Sequence, residues 1–413
     1  MAEDRKKLGA FFKVKHGYAF KSEFFSNSGK YVVVTPGNFF DEGGFKKKGE
    51  KEKFYTGPVP KDYVLNKGDL IVAMTEQSEG LLGSSALIPA DNYYLHNQRL
   101  GLIVDLDEKR LDKKFLYYLF NLRDVRNQIR ATATGAKIRH TAPERIRSVS
   151  FKYLPIEEQR RSAAILSAYD DLIENNTRRV KLLDEHRTLL FQHFIKTSGN
   201  GVATKQLGEI VDEVGSTVRT GPFGSQLHES DYTEEGVPVV MPKNIIDGRI
   251  STANIARVPH EITSKLSAHA LNLGDIVYGR RGDIGRRALI TKRQQGWLCG
   301  TGCLRISLSG EQLHSRFLYE FLGQPEIVSL IASRAVGATM PNLNTSILRG
   351  IPITMPPYRV QKEFAETVLP CDELIENLVE KNYLLRMQRD ILLPKLISGE
   401  IDVSHFPDPE EVM

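Results

Sequence analysis

The sequence is poor in cysteine, has a single tryptophan and contains no long apolar run. The cysteines, Cys299, Cys303 and Cys371, are an odd and sparse set, which argues against a disulfide scaffold and favours buried apolar side chains. No second Cys or His pair lies at ligand spacing from Cys299 and Cys303, so we expect no zinc. No stretch approaches the roughly 18 to 20 apolar residues of a membrane span. The N-terminus also lacks a signal peptide's apolar core, so we expect a soluble, cytoplasmic protein.

Catalytic motifs are missing as well. There is no GxxxxGK[ST] phosphate loop and no complete GxGxxG after a strand. The segment Met355 to Tyr358 ends in PPY like an amino-methyltransferase motif, but methionine lacks the oxygen that would hold the target amine. No carboxylate pair or histidine cluster stands out at catalytic or metal-binding spacing. We therefore expect no catalytic residue, metal or cofactor in this chain.

What the sequence does contain is a duplication. A displacement of 202 residues aligns FLYYLF (Phe115 to Phe120) with FLYEFL (Phe317 to Leu322) and DDLIEN (Asp170 to Asn175) with DELIEN (Asp372 to Asn377). Farther upstream the displacement is 206 residues and aligns KGDL (Lys67 to Leu70) with LGDI (Leu273 to Ile276) and TPGN (Thr35 to Asn38) with MPKN (Met241 to Asn244). The 413 residues are therefore one unit of about 200 residues present twice, which agrees with the several domains expected of this length.

Each repeat begins with a part that is rich in glycine and in short β-branched runs. Its patterns predict strands at Tyr31 to Thr35, Asp69 to Met74, Arg99 to Leu106, Val237 to Met241 and Asp275 to Arg280. Helical patterns follow from about Asp112 to Thr132 and from Gln312 to Val336. Residues 1–154 and 201–355 are therefore predicted to be two similar α+β domains.

Each repeat ends with a long amphipathic pattern, in residues 155–200 and in residues 356–413, the latter with the C-terminal tail. Pro155 and Pro357 lie near the predicted helix starts, where proline is tolerated. Interior Pro370 and Pro394 predict a second helix that is kinked or fragmented. Apolar residues recur at heptad spacing, and we expect them to bind a partner helix or subunit: Tyr169, Ile173, Val180, Leu183, Ile375, Leu378, Leu385 and Leu392.

The two helices are expected to pair with each other, because each has one apolar stripe. A globular domain lies between them in sequence, so antiparallel pairing is the simplest arrangement. It would form a stiff coiled coil that separates the two domains and gives the chain an internal pseudo-twofold repeat. The polar seam residues either fix the register or face solvent or another subunit, and the sequence leaves this open: Asn176, Arg187, Asn382 and Arg389.

Positive charge is concentrated in the predicted domains. Residues 1–154 have a net charge of +9 and residues 201–355 of +2, whereas residues 356–413 have a net charge of −6. This distribution favours domains that touch a polyanion and helices that touch protein. Solvated basic faces are the competing explanation.

Basic and polar side chains cluster on glycine-rich turns of both predicted domains. Such side chains contact phosphates or, for arginine, donate two hydrogen bonds to guanine; simple surface exposure is the alternative. The turns at Gly135 to Thr141 and Gly337 to Asn344 are equivalent but differ in polar side chains, as expected of two domains that recognise different sequences, or of neutral drift. The candidate DNA contacts are Lys46, Lys47, Lys48, Gln77, Lys137, Arg139, His140, Ser225, Gln226, Lys243, Arg280, Arg281, Arg286, Arg287, Asn342 and Asn344.

An ordered set of motifs carries a family resemblance. The second half contains TGPFGSQL, EGVPVVMPKNI, LGDIVYGRRGDIG, GATMPNLN and LLPKLISGEIDV, and the first half contains HGYAFKSEFF, KGDLIVAM, TGAKIRHT and PIEEQRRSAAILSAYDDLIENN. Together they resemble the specificity subunit of type I restriction-modification systems over nearly the whole chain. One departure is that Met74 to Gln77 replaces the arginine-rich turn of the second half, so base contacts of the first domain are harder to place.

The resemblance implies a non-catalytic subunit that recognises double-stranded DNA. In that family each target recognition domain reads one half of a split site, and the helices set the spacer and dock two methyltransferase subunits. These partners flip and methylate adenine at N6 with S-adenosylmethionine. Two further restriction and translocase subunits use ATP and magnesium to cleave unmodified DNA.

Two alternative functions remain open from the sequence. One is the recognition part of a larger restriction-methyltransferase polypeptide, which neighbouring genes would reveal. The other is a non-catalytic coiled-coil scaffold whose basic domains bind nucleic acid or acidic proteins without sequence preference.

Overall fold

A computed structural model describes residues 5–77, 79–198, 202–335 and 342–407. Residue contacts divide the chain into a first unit, residues 1–177 with 379–413, and a second unit, residues 178–378. The helices are α1 (Lys113–Phe120), α2 (Arg123–Ala131), α3 (Pro143–Arg147), α4 (Ile156–Thr197), α5 (Leu207–Glu213), α6 (His260–Lys265), α7 (Ser315–Phe321), α8 (Pro325–Arg334), α9 (Thr345–Arg349) and α10 (Tyr358–Ile397).

The globular part of the first unit is built on two sheets of short strands. A five-stranded sheet has the order β3-β5-β4-β10-β6, and a four-stranded sheet has the order β2-β11-β7-β9. Two pairs, β1-β13 and β8-β12, complete it. The strands are β1 (Arg5–Lys7), β2 (Lys13–His16), β3 (Phe25–Ser26), β4 (Tyr31–Val33), β5 (Phe54–Tyr55), β6 (Val64–Leu65), β7 (Leu70–Ala73), β8 (Thr75–Glu76), β9 (Ser85–Leu87), β10 (Tyr94–Leu95), β11 (Leu100–Val104), β12 (Arg139–His140) and β13 (Ser150–Lys152).

The second unit has a similar arrangement with a smaller second sheet. Its four-stranded sheet has the order β15-β23-β20-β21 and its three-stranded sheet the order β19-β16-β22, with β14-β24 and β17-β18 as further pairs. In both units the sequence-equivalent strands β4 and β16 pair in parallel, with β10 and β22 respectively. The strands are β14 (Ala203–Gln206), β15 (Thr217–Thr220), β16 (Val237–Val240), β17 (Ile245–Ile246), β18 (Arg249–Ile250), β19 (Ala256–Val258), β20 (Ile276–Gly279), β21 (Arg287–Leu289), β22 (Leu298–Cys299), β23 (Cys303–Ser307) and β24 (Pro352–Met355).

The predicted α+β fold with an internal duplication and two long helices is therefore confirmed. The five predicted strands are present, and each end lies within two residues of its expected position. Each predicted helical stretch contains two helices, α1 and α2 or α7 and α8, separated by a short turn. Cys299 and Cys303 are buried, as expected, whereas Cys371 is only half-buried, and all three are free thiols. In the part of the chain that the structure describes, no helix has the length and apolar character to cross a bilayer.

A buried glutamine attaches the start of each long helix to the domain before it. Gln159 in α4 accepts a hydrogen bond from the Asp112 amide at 2.9 Å and donates to the Leu154 and Arg110 carbonyls. Gln361 in α10 makes the same three bonds, with the amide of His314 and the carbonyls of Pro356 and Gln312. Both glutamines are fully buried. Because each satisfies three backbone groups, it fixes the direction in which its helix leaves the domain.

The long helices pair antiparallel within each unit. In the first unit Asn176 Nδ2 donates to Asn382 Oδ1 at 2.9 Å, and Asn382 Nδ2 donates to the Ile173 carbonyl. In the second unit Val180 packs with Ile375 and Leu378. The two asparagines are 9% and 5% exposed, so they bond to each other between the helices rather than to solvent. A buried polar pair of this kind specifies a register, because any slip would leave its polar atoms unpaired.

The second long helix is not fragmented at its interior prolines, which corrects one of the two predicted alternatives; a kink stays a prediction. Helix α10 continues for 40 residues through both Pro370 and Pro394. Each proline leaves one carbonyl four residues earlier, at Glu366 or Asp390, without its helical donor. Both prolines and both of these residues are exposed, so water can hydrogen-bond the freed carbonyls.

The far end of each long helix completes a domain core. In the first unit Leu396 and Ile397 of α10, with Val403 beyond it, belong to the main core cluster that includes Phe115 and Leu166. In the second unit Phe191 of α4 packs against Phe317 and Phe364. Each globular domain is thus closed by the helix of the other repeat.

Candidate nucleic-acid interface

The second domain presents a rigid turn after strand β15. Gly221 lies so close to Gly300 that an added Cβ would come within 2.0 Å of the Gly300 carbonyl oxygen, so only glycine fits there. Phe223 follows, with 64% of its surface exposed. The Gln226 side chain accepts a hydrogen bond from the Phe223 amide at 3.0 Å, and the Gln226 amide donates back to the Phe223 carbonyl at 2.8 Å. Gln226 is therefore exposed but already holds this turn, while Ser225 beside it is exposed.

The arginine-rich turn after β20 contacts a second turn that is distant in sequence. Arg281 pairs with Asn342 in an isolated antiparallel bridge. Arg280 accepts a backbone bond from Leu343 at 2.8 Å, and its Nε donates to the Leu343 carbonyl at 3.2 Å. Arg281 is exposed and Arg280 is half-buried. The remaining residues of that predicted turn, 337–341, lie outside the described residues.

A cavity of about 420 Å³ joins these turns. Phe223, Arg280 and Arg281 line it together with Pro222, Gly224, Pro242, Thr301 and Gly302. Lys243 is exposed beside Pro242, on a short helical turn closed by buried Asn244, whose Oδ1 accepts from the Met241 amide. The predicted contacts Arg280, Arg281 and Lys243 are therefore next to or within one concave, positively charged surface.

Two predicted arginines and one asparagine have structural partners of their own. Arg287 lies over the Tyr319 ring and its Nε donates to the Tyr319 carbonyl at 3.0 Å. Arg286 is exposed and pairs with Asp283 at 3.3 Å. Asn344 caps helix α9 by accepting from the Ile347 amide at 2.9 Å. These contacts leave Arg286 the most available of the three for a DNA phosphate.

The first domain brings together the equivalent segments. Strand β12 pairs with β8, so that His140 lies opposite Thr75 and Arg139 opposite Glu76. Under the two displacements of the duplication, Thr75 corresponds to Arg281 and His140 to Asn342, so this is the same bridge. Thr134 and His140 exchange backbone hydrogen bonds of 2.8 and 3.0 Å, which closes a hairpin with exposed Lys137 and Arg139 near its tip.

A buried carboxylate shapes the strand-following turn of the first domain. Glu76 is 4% exposed, accepts from the amides of Gly80 and Leu82, and pairs with Arg130 at 3.1 Å. Burial alone would raise the pKa of Glu76, but the Leu82 amide and Arg130 outweigh it and hold the pKa below its ordinary value. The ionised carboxylate thus fixes the turn that exposes Gln77.

The three predicted lysines of the first domain differ in exposure. Lys46 and Lys47 are exposed, and the Lys46 ammonium lies 5.6 Å from the centre of the Phe40 ring. Lys48 is half-buried and donates to the Thr35 hydroxyl at 2.9 Å. Burial, followed by repulsion from Lys53, lowers the pKa of Lys48. Lys46 and Lys47 are therefore the two available for a phosphate.

The predicted partner-binding residues of the helices lie on the inner side of the helix pair. Ile173, Val180, Ile375 and Leu378 are buried between the helices. Tyr169, Leu183, Leu385 and Leu392 are half-buried. Sequence periodicity located this seam but missed the outer apolar side chains, each 38% exposed or more: Leu172, Leu182, Leu189, Leu369, Leu374, Val379, Tyr383, Leu384, Met387 and Ile391.

Sequence reasoning also missed Phe223 and Glu76. Phe223 lies between Pro222 and Gly224, a turn signal that was available and that argues against a buried strand position. Glu76 gave no comparable signal, because its burial depends on Arg130, which lies 54 residues away in sequence.

Comparison with known proteins identifies the class. Residues 4–184 and 202–385 each match the type I restriction modification DNA specificity domain. The chain therefore belongs to the type I restriction-modification DNA specificity family, as a specificity subunit with two target recognition domains.

Individual relatives agree with this assignment. The chain is 21% identical over 369 residues to the type I restriction enzyme MjaVIII specificity subunit of Methanocaldococcus jannaschii, covering 84% of this chain and 82% of the relative. It is 20% identical over 414 residues to the EcoBI specificity subunit of Escherichia coli, covering 94% and 84% respectively. The crystal structure of the S subunit of a type I system from M. genitalium shares the fold, with a TM-score of 0.58, 20% identity and 95% coverage of both chains.

Proposed function

We propose that this chain is the non-catalytic subunit that reads double-stranded DNA in a type I restriction-modification complex, each domain recognising one half of a bipartite, asymmetric site. The observation that carries the proposal is the repeated bridge, Thr75 with His140 and Arg281 with Asn342. The backbone pairing is the same in both domains, whereas the paired side chains differ. The two domains therefore present different side chains to DNA at equivalent backbone positions.

The exposed side chains around each bridge are of the kinds that contact bases and phosphates. Arg281 can donate two hydrogen bonds to guanine, and the Asn342 amide is of the type that pairs with adenine. In the first domain His140 stands at the position of Asn342, and exposed Gln77 and Arg139 flank the same bridge. Exposed Lys46 and Lys47 are the proposed phosphate ligands. Different donors at equivalent positions predict different half-sites.

The long helices are assigned two tasks in this proposal. Their pairing sets the number of unread base pairs between the half-sites, and their outer apolar side chains dock two methyltransferase subunits. Two restriction and translocase subunits join the same cytoplasmic complex. S-adenosylmethionine, ATP and magnesium are assigned to these partner subunits.

Modified-base sequencing tests the proposal. The chain and its methyltransferase partner are expressed in a host without N6-methyladenine, with the partner alone as control. We expect one split N6-methyladenine motif that appears only when the chain is present. An unchanged methylation pattern, with an active partner, would contradict the proposal and favour a scaffold.

A domain exchange tests independent reading. Residues 1–154 are replaced by the corresponding domain of a relative, with residues 201–355 unchanged. One half of the motif should change and the other should persist. A change in both halves would show that the domains do not read independently.

A matched deletion tests the spacer. Removal of residues 177–183 together with 375–381 shortens both helices by two turns and keeps Asn176 opposite Asn382. Seven residues span about 10.5 Å, so the spacer should shorten by about three base pairs. Removal of residues 177–183 alone is the control and should abolish methylation, because the helices lose their register.

A further inference from the structure

The second domain holds one large aromatic side chain in solvent on a fixed turn. Phe223 is 64% exposed, yet its amide and carbonyl are both hydrogen-bonded to Gln226. Leu227, which follows Gln226, is buried and anchors the turn in the domain core. The backbone that carries the ring is therefore held in place before any ligand arrives, which reduces the conformational entropy lost on binding.

The surroundings of Phe223 indicate what its ring contacts. Arg280 and Arg281 line the same cavity of about 420 Å³. No acidic side chain lines that cavity among the residues the structure describes. An apolar ring next to two cations is the combination that contacts a base and its neighbouring phosphates.

We propose that Phe223 inserts at a base step of the half-site recognised by the second domain, and that Arg280 and Arg281 bind the bases or phosphates beside it. Apolar side chains that enter base steps unstack them locally, and the protein recovers the cost through the contacts that the distorted DNA allows. This inference rests on the proposed function, because it names a specificity-determining residue within it.

The first domain lacks the equivalent ring. Gly17 makes the same close approach as Gly221, with an added Cβ 2.0 Å from the Asn97 carbonyl oxygen. Two residues later the first domain has Ala19, which is exposed, where the second has Phe223. The two aromatic neighbours of Ala19 pack within the domain: the Tyr18 ring, 36% exposed, lies against Phe20 and Tyr63, and Phe20 is buried. Insertion at this position is therefore a property of one half-site only.

The chain offers a matched control for an exposed apolar side chain. Leu273 belongs to the same domain and is 56% exposed, but it does not line the cavity with the arginines. If exposure alone governed the effect of truncation, Leu273→Ala and Phe223→Ala would behave alike. If insertion is correct, only Phe223→Ala weakens DNA binding.

The experiment uses the purified complex of this chain with its methyltransferase partner. The probe is a labelled duplex with the motif that modified-base sequencing assigns to the unaltered chain. We expect Phe223→Ala to raise the Kd by roughly 5- to 150-fold, the usual range for loss of one stacked base. The slope of affinity against salt should stay the same, because no phosphate contact is removed. Phe223→Trp should bind within about threefold of the unaltered chain, and Leu273→Ala within about twofold, if ring stacking is the contact.

A second readout locates the insertion. 2-Aminopurine is placed in turn at each position of the second domain's half-site except the methylated adenine and its two neighbours, where base flipping by the partner would itself raise the fluorescence. At one of the remaining steps the fluorescence should rise on binding the unaltered complex. The rise should be absent with Phe223→Ala at saturating protein. Equal thermal unfolding midpoints of the two chains would show that the variant is folded, and Phe223→Trp retains the ring if Phe223→Ala does not fold.

The outcomes separate the two proposals. A motif for the unaltered chain with unchanged affinity for Phe223→Ala overturns the insertion and leaves the proposed function in place. Weakened affinity without any fluorescence change in either chain also overturns insertion. No motif for the unaltered chain with an active partner overturns both.

Discussion

In the first unit, Arg389 pairs with Asp170 at 2.7 Å, and the other oxygen of Asp170 accepts from the Tyr118 hydroxyl at 2.7 Å. In the second unit, Arg187 pairs with Asp372 at 3.0 Å and also with Glu320 at 2.6 Å. The duplication places Glu320 where the first repeat has Tyr118. The two clusters thus have the same arginine and aspartate but differ in the third group.

The additional carboxylate brings an additional cation. Arg316, 6% exposed, forms ion pairs with Glu320 and Asp372 at 2.8 Å each, whereas its counterpart in the first repeat, Lys114, is exposed. Although burial alone would lower the pKa of Arg187, Glu320, Asp184 and Asp372 raise it. The difference teaches that a buried charge introduced in one copy of a duplicated fold is compensated by neighbouring changes in that copy.

The largest expected effect comes from breaking the denser cluster. Arg187→Met should destabilise the second unit by about 3–5 kcal/mol, because it leaves Glu320 and Asp372 with one arginine. Arg389→Met should cost the first unit less, since it removes fewer buried partners. Hydrogen exchange of α7 and of α1 would measure each cost, and a larger loss for Arg389→Met would contradict the comparison.

Both units attach the start of a long helix through a buried glutamine. Gln159→Ala and Gln361→Ala each leave one amide and two carbonyls unpaired, and each should cost about 2–4 kcal/mol. We expect the two losses to match within about 1 kcal/mol, because the three bonds are duplicated. Protection of the first turns of α4 and α10 against hydrogen exchange measures them, and clearly unequal losses would show that the helix starts differ in stability.

A third prediction separates the units by pH. His96 is fully buried beside strand β4, at the position that Cys299 occupies in the second unit, and burial lowers the pKa of His96 to about 4. The unfolded chain binds this proton near pH 6.5, so the stability contributed by neutral His96 is complete above that pH and lost as the pH falls toward 4. Burial instead raises the pKa of Cys299 to about 12, so that thiol does not titrate in acid.

Chemical denaturation at pH 7 and pH 4.5 tests this difference. The first unit should lose about 2 kcal/mol more than a His96→Gln variant between these pH values. Cys299→Ser is the matched substitution in the second unit and should leave the acid dependence unchanged. An equal pH dependence of the unaltered chain and His96→Gln would show that His96 is not the titrating group.

The smallest predicted effect concerns a helix cap. Asn344 caps α9 in the second unit, whereas the equivalent Ala142 of α3 makes no side-chain cap. Asn344→Ala should cost about 1 kcal/mol, and Ala142→Asn should recover part of that amount in the first unit. Thermal unfolding measures both. If Asn344→Ala instead weakens DNA binding without changing stability, Asn344 is a DNA ligand rather than a cap.

Much of the fold could be predicted from the sequence, because the repeated unit occurs twice in it. The alignment of KGDL with LGDI and of TPGN with MPKN located equivalent turns, and the structure gives both capped turns a buried asparagine, Asn38 and Asn244. Periodicity located the helix seam, since contacts along a helix repeat every three or four residues. The fragmentation expected at Pro370 and Pro394 does not occur, because the carbonyls freed by these prolines belong to exposed residues, which the sequence does not reveal.

Less of the candidate site could be predicted from the sequence. Arg280 and Arg281, which line the cavity, were predicted from their charge, but the same reasoning also selected Arg287 and Asn344, which do not line it. Arginines in one turn look alike in sequence, and only packing against Tyr319 distinguishes Arg287. Exposure of Phe223 depends on what the rest of the domain leaves uncovered, which is a long-range property.

The core of each globular domain is completed by the long helix of the other repeat, and this affects the order in which the domains can fold during synthesis on the ribosome. The second unit is continuous in sequence, so all its packing partners have been translated once Leu378 has been added. The first unit begins earlier but needs Leu396, Ile397 and Val403 to close its core. The domain that is translated first is therefore completed last, and it must persist with an open core while some two hundred further residues are made. A released chain that ends at Leu378 should contain a protease-resistant second domain and a susceptible first one.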